Sequence, residues 1–514
     1  MRVLNVLRNS AYSLVFYVLA AVLGIFLRQA FTRYMPIELL GLEGLFSNLL
    51  TILSLAELGV STVISYGLYR EFANGNETEI NMLMSIYRYI YLVIGVFVFL
   101  VGVVLFFFLP WIVQDDSISW HYVEFVYVIQ IGTVLSSYFL AYRRTLFTAN
   151  QKDFVCSRAD IACTLSSNLV KFLAVIVWQD YFLYAATGLT FNIIANIYLH
   201  RKAGKMYPFL HSVKVTVADM RARKFFTDVG NFLVHKLSYV IYFGTDAIVV
   251  STVLGLRMAG LLSNYVLIYT GVNSIMYKIL QGIIPSVGNL IYAEDKEKSY
   301  KVYCMLDMMY FFWGGYIACI YAVVLQPFMR AFFGEDFLLP EAYVIALAVN
   351  TLLGIQFENA YNFRSTHGTF DNDRSYMIAS AVVNLLLSIG LVHVYGIVGI
   401  MIGTIAGLLC IVYGRVQFVF RIIFKRSMKS YLWNHLVWSL LVAAEILLIY
   451  VLVDYLDLPD TYFYLVVKCL LIAVLMGMMQ ILFFYRTQEF KDICSYMKTV
   501  KGIVYEKLHK GKVQ

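Results

Sequence analysis

The sequence predicts an all-α polytopic membrane protein with about fourteen transmembrane helices, and three observations carry that expectation. Of 514 residues, 61% are hydrophobic and only 14% charged, with a mean hydropathy of +0.73; a soluble chain would carry about a quarter charged residues. The apolar residues come in blocks of about 20 to 28, the length that crosses a ~30 Å hydrocarbon layer at 1.5 Å per residue. Lysine and arginine then concentrate in alternate connections between the blocks. A β-barrel is excluded, because its segments would be about 10 residues long with strict alternation.

Taken in order, the expected spans are 9–31, 41–68, 84–110, 122–142, 157–178, 182–200, 227–252, 258–284, 303–327, 338–361, 375–394, 396–420, 431–453 and 461–485. The first is preceded by a basic start that superficially suggests a signal peptide. Its apolar stretch is too long and no small-residue cleavage site closes it, so it is expected as a retained span. Only Tyr395-Gly396 separates the eleventh and twelfth spans, which therefore form a tight hairpin or are one span too many.

Orientation follows from the loops. Arg143, Arg144 and Lys152 lie in one connection, Arg201 to Lys224 in another, Lys296, Lys298 and Lys301 in a third, Arg421 to Lys429 in a fourth. The intervening connections, such as Gln114-Asp115-Asp116 and Trp178-Gln179-Asp180, are short and nearly free of Lys and Arg. The positive-inside rule places the basic loops and both termini in the cytosol. The expected organisation is an N-terminal lobe of six spans (1–200), a basic cytosolic linker (201–226), a C-terminal lobe of six spans (227–425), a further pair (426–485) and a basic cytosolic tail (486–514). The tail suits a membrane surface with anionic headgroups and does not imply nucleic acid. Seven scattered cysteines make a disulfide scaffold unexpected and show no metal-ligand spacing.

Ionisable groups within hydrocarbon cost roughly 2.5 kcal/mol or more at the centre of a span, so each needs a partner, an aqueous path or a cargo. On a 3.6-residue helix several fall on polar stripes. Span 1 aligns Ser10, Ser13, Tyr17, Gly24 and Arg28; span 2 aligns Ser54, Glu57, Ser61 and Ser65; span 5 aligns Asp160, Thr164, Ser167 and Lys171. Span 7 aligns Asn231, His235, Tyr239, Tyr242 and Asp246 with Lys236 beside it, and span 10 aligns Asn350, Gly354, Glu358 and Tyr361. Each has a plainer reading. Arg28 lies near an outer end, where it can snorkel to the interface. Lys278 and Asp307 stand near cytosolic ends, where snorkelling is favoured. Glu57 is open to a structural ion pair, and Glu445 reads as a local pair or a helix contact. Lys171, Lys236 and Asp246 lie deeper, where a cavity or ion-pair role is favoured. The aromatic residues read as lipid-facing surface and interfacial belts.

No phosphate-binding P-loop, zinc-protease motif or hydrolase nucleophile elbow occurs. The outer connections are all short, which argues against a membrane polymerase or ligase and hence against an enzyme; no catalytic residue and no cofactor is expected.

The run AELGVSTVISYGLYREFANGN resembles the second-span signature of bacterial Wzx-like polysaccharide flippases, the polysaccharide-transporter branch of the multidrug/oligosaccharidyl-lipid/polysaccharide exporter (MOP) superfamily. The likeness continues in the same order through ANQKDF (149–154), HKLSYVIYFGTDAIVVSTVLG (235–255), GLLSNYVLI (260–268), PSVGNLI (285–291) and FRSTHGTFDNDRS (363–375), covering roughly residues 1 to 425. The resemblance implies two six-span lobes around a central cavity open to each side in turn, with two extra spans. It implies an undecaprenyl-diphosphate-linked oligosaccharide as cargo, moved from the cytosolic to the outer leaflet of the bacterial inner membrane. By span and helical phase it makes Arg28, Lys236 and Lys278 candidate substrate-binding cations, and Lys171, a candidate from its depth in span 5, joins them. Glu57 and Asp246 become the carboxylates that balance those cations or bind a coupling H+ or Na+. A polysaccharide polymerase and its chain-length machinery would be the partners downstream. Two other readings stay open, a cation-coupled multidrug antiporter of the same superfamily and a membrane polysaccharide polymerase or ligase.

Overall fold

The structure, a computed structural model, describes residues 19–20, 22–53, 60–113, 118–150, 152, 154–222, 244–281, 296–366 and 374–496. Its described elements are helical, and nine helices among the described residues are long and apolar enough to cross a membrane. These nine coincide with the third to sixth, ninth and eleventh to fourteenth expected spans. The chain is thus an all-α, multi-pass membrane protein. It divides into two compact units, Met1–Asn273 and Ser274–Gln514.

In the first unit, α1 (described over 22–34) leads into α2 (Glu38–Leu53), α3 (Val60–Asn74), α4 (Glu77–Ile112), α5 (Trp120–Leu140), α6 (Arg144–Ala149), α7 (Phe154–Leu173), α8 (Tyr181–Met206), α9 (Val217–Ala222), α10 (Gly244–Val253) and the start of α11 (Gly255–Gln281). Helix α4 shows how the sequence sets an element. Gly75 takes a positive φ of 67°, Asn76 caps the helix by accepting from the Glu79 N–H at 3.2 Å, and Glu77 and Glu79 face the positive end of the helix dipole. One face, from Tyr89 to Trp111, is exposed Leu, Val, Phe and Trp suited to lipid, while Tyr87, Tyr91, Ile94 and Val98 are buried. Gly102 lets α5 approach: a Cβ there would stand 2.6 Å from Ile131, and the Tyr127 hydroxyl donates to the Gly102 carbonyl at 2.7 Å.

Where α2 meets α11, the backbones touch. A Cβ on Gly41 would lie 2.0 Å from the Leu256 carbonyl oxygen, and one on Gly260 would lie 2.3 Å from that of Ile37. Only glycine permits that approach, and it brings α1, α2 and α11 side chains within reach of one another.

The second unit contains the rest: α12 (Lys296–Ile320), α13 (Gln326–Phe333), α14 (Glu341–Gln356), α15 (Glu358–Thr366), α16 (Arg374–Tyr395), α17 (Ile397–Phe418), α18 (Lys429–Tyr455) and α19 (Tyr462–Phe484). The doubtful pair of spans is a real hairpin. Gly396 turns it at φ 57°, and a Cβ on Gly399 would meet the Leu391 carbonyl oxygen at 2.3 Å. The tenth expected span is not one helix. It breaks at Phe357 between α14 and α15, so the stripe from Asn350 to Tyr361 is not a straight line along one helix. Trp433, Leu436, Leu440, Leu447 and Leu448 of α18 are exposed, and its buried residues His435, Val442, Glu445, Ile449 and Val453 form one stripe. Val442 of that stripe packs where a Cβ on Gly315 of α12 would be, at 3.3 Å.

Candidate functional site

A charged cluster forms in the first unit beside the turn between α7 and α8. Gln179 takes a left-handed φ of 50° there, and Asp180 caps α8 by accepting from the N–H groups of Phe182 at 2.8 Å and Leu183 at 3.3 Å. This capped turn fixes Tyr181 and Tyr184, whose buried rings stack at 5.9 Å and pack on the fully buried Phe31 of α1. The Tyr181 hydroxyl donates to Glu43 Oε1 at 3.1 Å. The Lys171 ammonium lies 4.7 Å above the Tyr184 ring, in a space that Gly188 leaves open, since a Cβ there would stand 3.2 Å from Nζ. Arg28 stands three residues before Phe31 in α1, on the helix that packs against both tyrosines. Arg28 Nη1 donates to Ser263 Oγ at 3.3 Å, and Ser263 in turn donates to the Gly260 carbonyl at 2.8 Å.

Two cations and one carboxylate, all half-buried, therefore share one neighbourhood walled by tyrosines. Such a set can exchange its internal carboxylate for an anionic cargo group, because burial makes unpaired charge expensive and opposite charge strongly attractive.

Of the six residues expected from sequence, the structure brings Arg28 and Lys171 together. Asp246 stands half-buried in the first turn of α10. Lys278 lies in α11, with its side chain outside the described residues, and Glu57 and Lys236 lie wholly outside them. Glu43, Tyr181 and Tyr184 were not expected. Glu43 sits near the start of its span, where a carboxylate has an ordinary solvated explanation, and the tyrosines passed as an interfacial belt.

Other intramembrane charges prove structural. Asp160 takes a two-pronged hydrogen bond from Arg144, at 2.6 and 3.0 Å, while Arg144 Nε also donates to Asn196 at 3.0 Å. Asp307 does not snorkel as expected. It is 2% exposed, lies 2.6 Å from His435 Nε2, and accepts from the Tyr431 hydroxyl at 2.9 Å. Glu445 is buried with neither carboxyl oxygen hydrogen-bonded among the described residues, so of its two expected readings the local pair is not seen and its place in the buried stripe of α18 fits the helix contact.

At one end of the second unit, Asp460 accepts from Arg330 at 2.6 Å and from Lys468 at 2.7 Å. Burial alone would raise the Asp460 carboxyl, but these hydrogen bonds and charges outweigh it and hold it below the usual carboxylate range. A depressed folded value means that the pairing stabilises the protein fully above the unfolded value of about 3.9 and fades only as pH falls through the lower folded one. Thermal stability of the Asp460→Asn variant and the parent should therefore differ by a constant gap from pH 8 to pH 5. The gap should close only below about pH 4; closure near neutrality would contradict the pairing.

The sequence matches the family described as "Polysaccharide biosynthesis protein" over residues 6–290, more than half of its length. The chain belongs to this family. Comparison with curated proteins finds no match. Among solved structures, the fold of this family member is similar to that of the lipid II flippase MurJ, with a TM-score of 0.69 and 14% identity, covering 92% of this chain and 99% of that one. It is also similar to an inward-facing MATE multidrug resistance transporter of the MOP superfamily (TM-score 0.55, 13% identity, 79% and 96% covered). A third likeness is to a MOP superfamily transporter from Pyrococcus furiosus (TM-score 0.51, 13% identity, 82% and 94% covered). The expected fold class is that of these transporters.

Proposed function

We propose that this protein is a flippase that moves an undecaprenyl-diphosphate-linked oligosaccharide from the cytosolic to the outer leaflet of the inner membrane by alternating access. The observation that carries this reading is the Arg28–Glu43–Lys171 cluster in a polysaccharide biosynthesis family member. A diphosphate brings about two negative charges out of water and needs matching cations. Arg28 supplies a planar, bidentate donor and Lys171 a compact one. In the empty protein, Glu43 compensates both; an arriving diphosphate displaces that compensation, and Glu43's release lets the site reset. Lys236 and Lys278 extend the cationic path, and Glu57 and Asp246 balance charge or carry a coupling H+ or Na+. The prenyl tail stays in lipid throughout. Both termini and the basic loops face the cytosol, and a polysaccharide polymerase receives the product outside.

The multidrug antiporter reading rests on the likeness to MATE transporters, but a cluster with cations in excess suits an anionic cargo better than a cationic drug. Cells lacking the gene should accumulate the lipid-linked repeat unit on the cytosolic side and lose surface polysaccharide. Normal surface polysaccharide with heightened sensitivity to cationic drugs would instead establish the antiporter.

A further inference from the structure

We propose that a second site, at the basic end of the first unit, binds a phosphate group, supplied in the membrane by the headgroup of an anionic phospholipid. A cavity of about 50 Å³ opens there between α4, the α5–α6 turn and the strand-like segment that follows α8. Its polar lining is Ser85, Arg88, Tyr142, Arg143, His211 and Ser212, with no carboxylate among the described residues. By the same measure a single water needs about 10–15 Å³, so the space holds several waters or one phosphate.

The walls are built rather than incidental. Buried Asn81 donates to the Phe209 carbonyl at 3.0 Å and accepts from the His211 N–H at 3.1 Å. Buried Ser85 accepts from the Val213 N–H at 2.9 Å. The segment after α8 is thereby strapped along α4, which sets His211 and Ser212 opposite Arg88. Arg143 is oriented from behind, donating through Nη1 to the His200 carbonyl and through Nε to the Tyr142 hydroxyl, each at 3.3 Å. Two guanidiniums, hydroxyls and an imidazole with no acid among them form a donor set for phosphate, because arginine presents paired N–H groups to phosphate oxygens.

The height of the site selects the source. Arg88 is exposed and immediately precedes the exposed lipid-facing belt of α4, which starts at Tyr89 and Leu92. Exposed tyrosine at the edge of an apolar belt marks the headgroup level, and basic pockets between membrane helices at that level take anionic headgroups. This site is separate from the Arg28–Lys171 cluster and stands whether or not that cluster carries the proposed cargo.

Native mass spectrometry of the purified full chain tests it, with phosphatidylglycerol or phosphatidylcholine added, beside a thermal-shift titration with inorganic phosphate. Retained phosphatidylglycerol should exceed phosphatidylcholine, and Arg88→Gln should lower it roughly fivefold, with a further fall in Arg88→Gln/Arg143→Gln. Arg201→Gln, an exposed cation of the same end outside the cavity, should leave retention unchanged. Stabilisation by inorganic phosphate that Arg88→Gln removes, without lipid retention, would keep the phosphate site and overturn the lipid as its source. Equal phosphatidylglycerol retention by the parent and Arg88→Gln, with no phosphate effect that distinguishes them, would overturn the site itself. Arg88 is exposed, so its replacement leaves the fold intact.

Discussion

Replacing Lys171 by alanine should reduce export roughly ten- to a hundredfold, because a hydrogen bond to a charged group is worth about 1.5–3 kcal/mol and each 1.4 kcal/mol is tenfold in affinity. Arg28→Ala should act alike, and the double variant should fall below either. The protein should remain in the membrane in normal amount, since both side chains are half-buried and their contacts among the described residues are modest, a cation–π approach at 4.7 Å for Lys171 and a 3.3 Å hydrogen bond for Arg28. Lys171→Arg should retain much of the activity, because charge rather than shape is what the proposed diphosphate cargo would require. Two results would sink the assignment: full export by both alanine variants, or a loss of export matched by an equal loss of folded protein.

The second large effect belongs to stability. Asp307→Ala should destabilise the protein by about 2–5 kcal/mol, because it leaves two buried hydrogen-bonding groups unsatisfied at about 1–3 kcal/mol each. It leaves His435 and Tyr431 without their acceptor in a site that is 1–2% exposed at Asp307 and His435, and it removes the hydrogen bonds that tie α12 to the start of α18. Asp307→Asn, which keeps size and one acceptor, should lie between. Glu297→Gln breaks an ion pair with Arg426 in which both side chains are exposed, and it should leave the melting temperature of the detergent-purified protein where it is, since such pairs contribute little. Equal melting temperatures for Asp307→Ala and the parent would refute the structural role.

The membrane helices were legible because the bilayer imposes them: length, apolar composition and internal hydrogen bonding are set by the solvent, not by partners. The break at Phe357 was not legible, since residues on both sides carry the composition of one span. Long-range pairing was equally hidden. Asp307 and His435 are 128 positions apart, and Tyr181 and Glu43 are 138 apart; helical phase says which face a residue takes, never which helix faces it. Phase put Arg28 and Lys171 on polar stripes, although Arg28, near the outer end of its span, also had a snorkelling explanation. It missed Glu43, whose place near a helix start has many ordinary explanations.

Translocation by the purified protein is the most direct measurement of the central claim. Vesicles containing the protein and a polyprenyl-diphosphate-linked oligosaccharide on one leaflet can be sampled with a membrane-impermeant enzyme that modifies the sugar. The flippase reading predicts that the protected fraction becomes accessible in parent vesicles at a rate well above that of protein-free vesicles, and that Lys171→Ala returns it to that background. Accessibility that never exceeds the protein-free background, in vesicles whose protein is folded and correctly inserted, would contradict it.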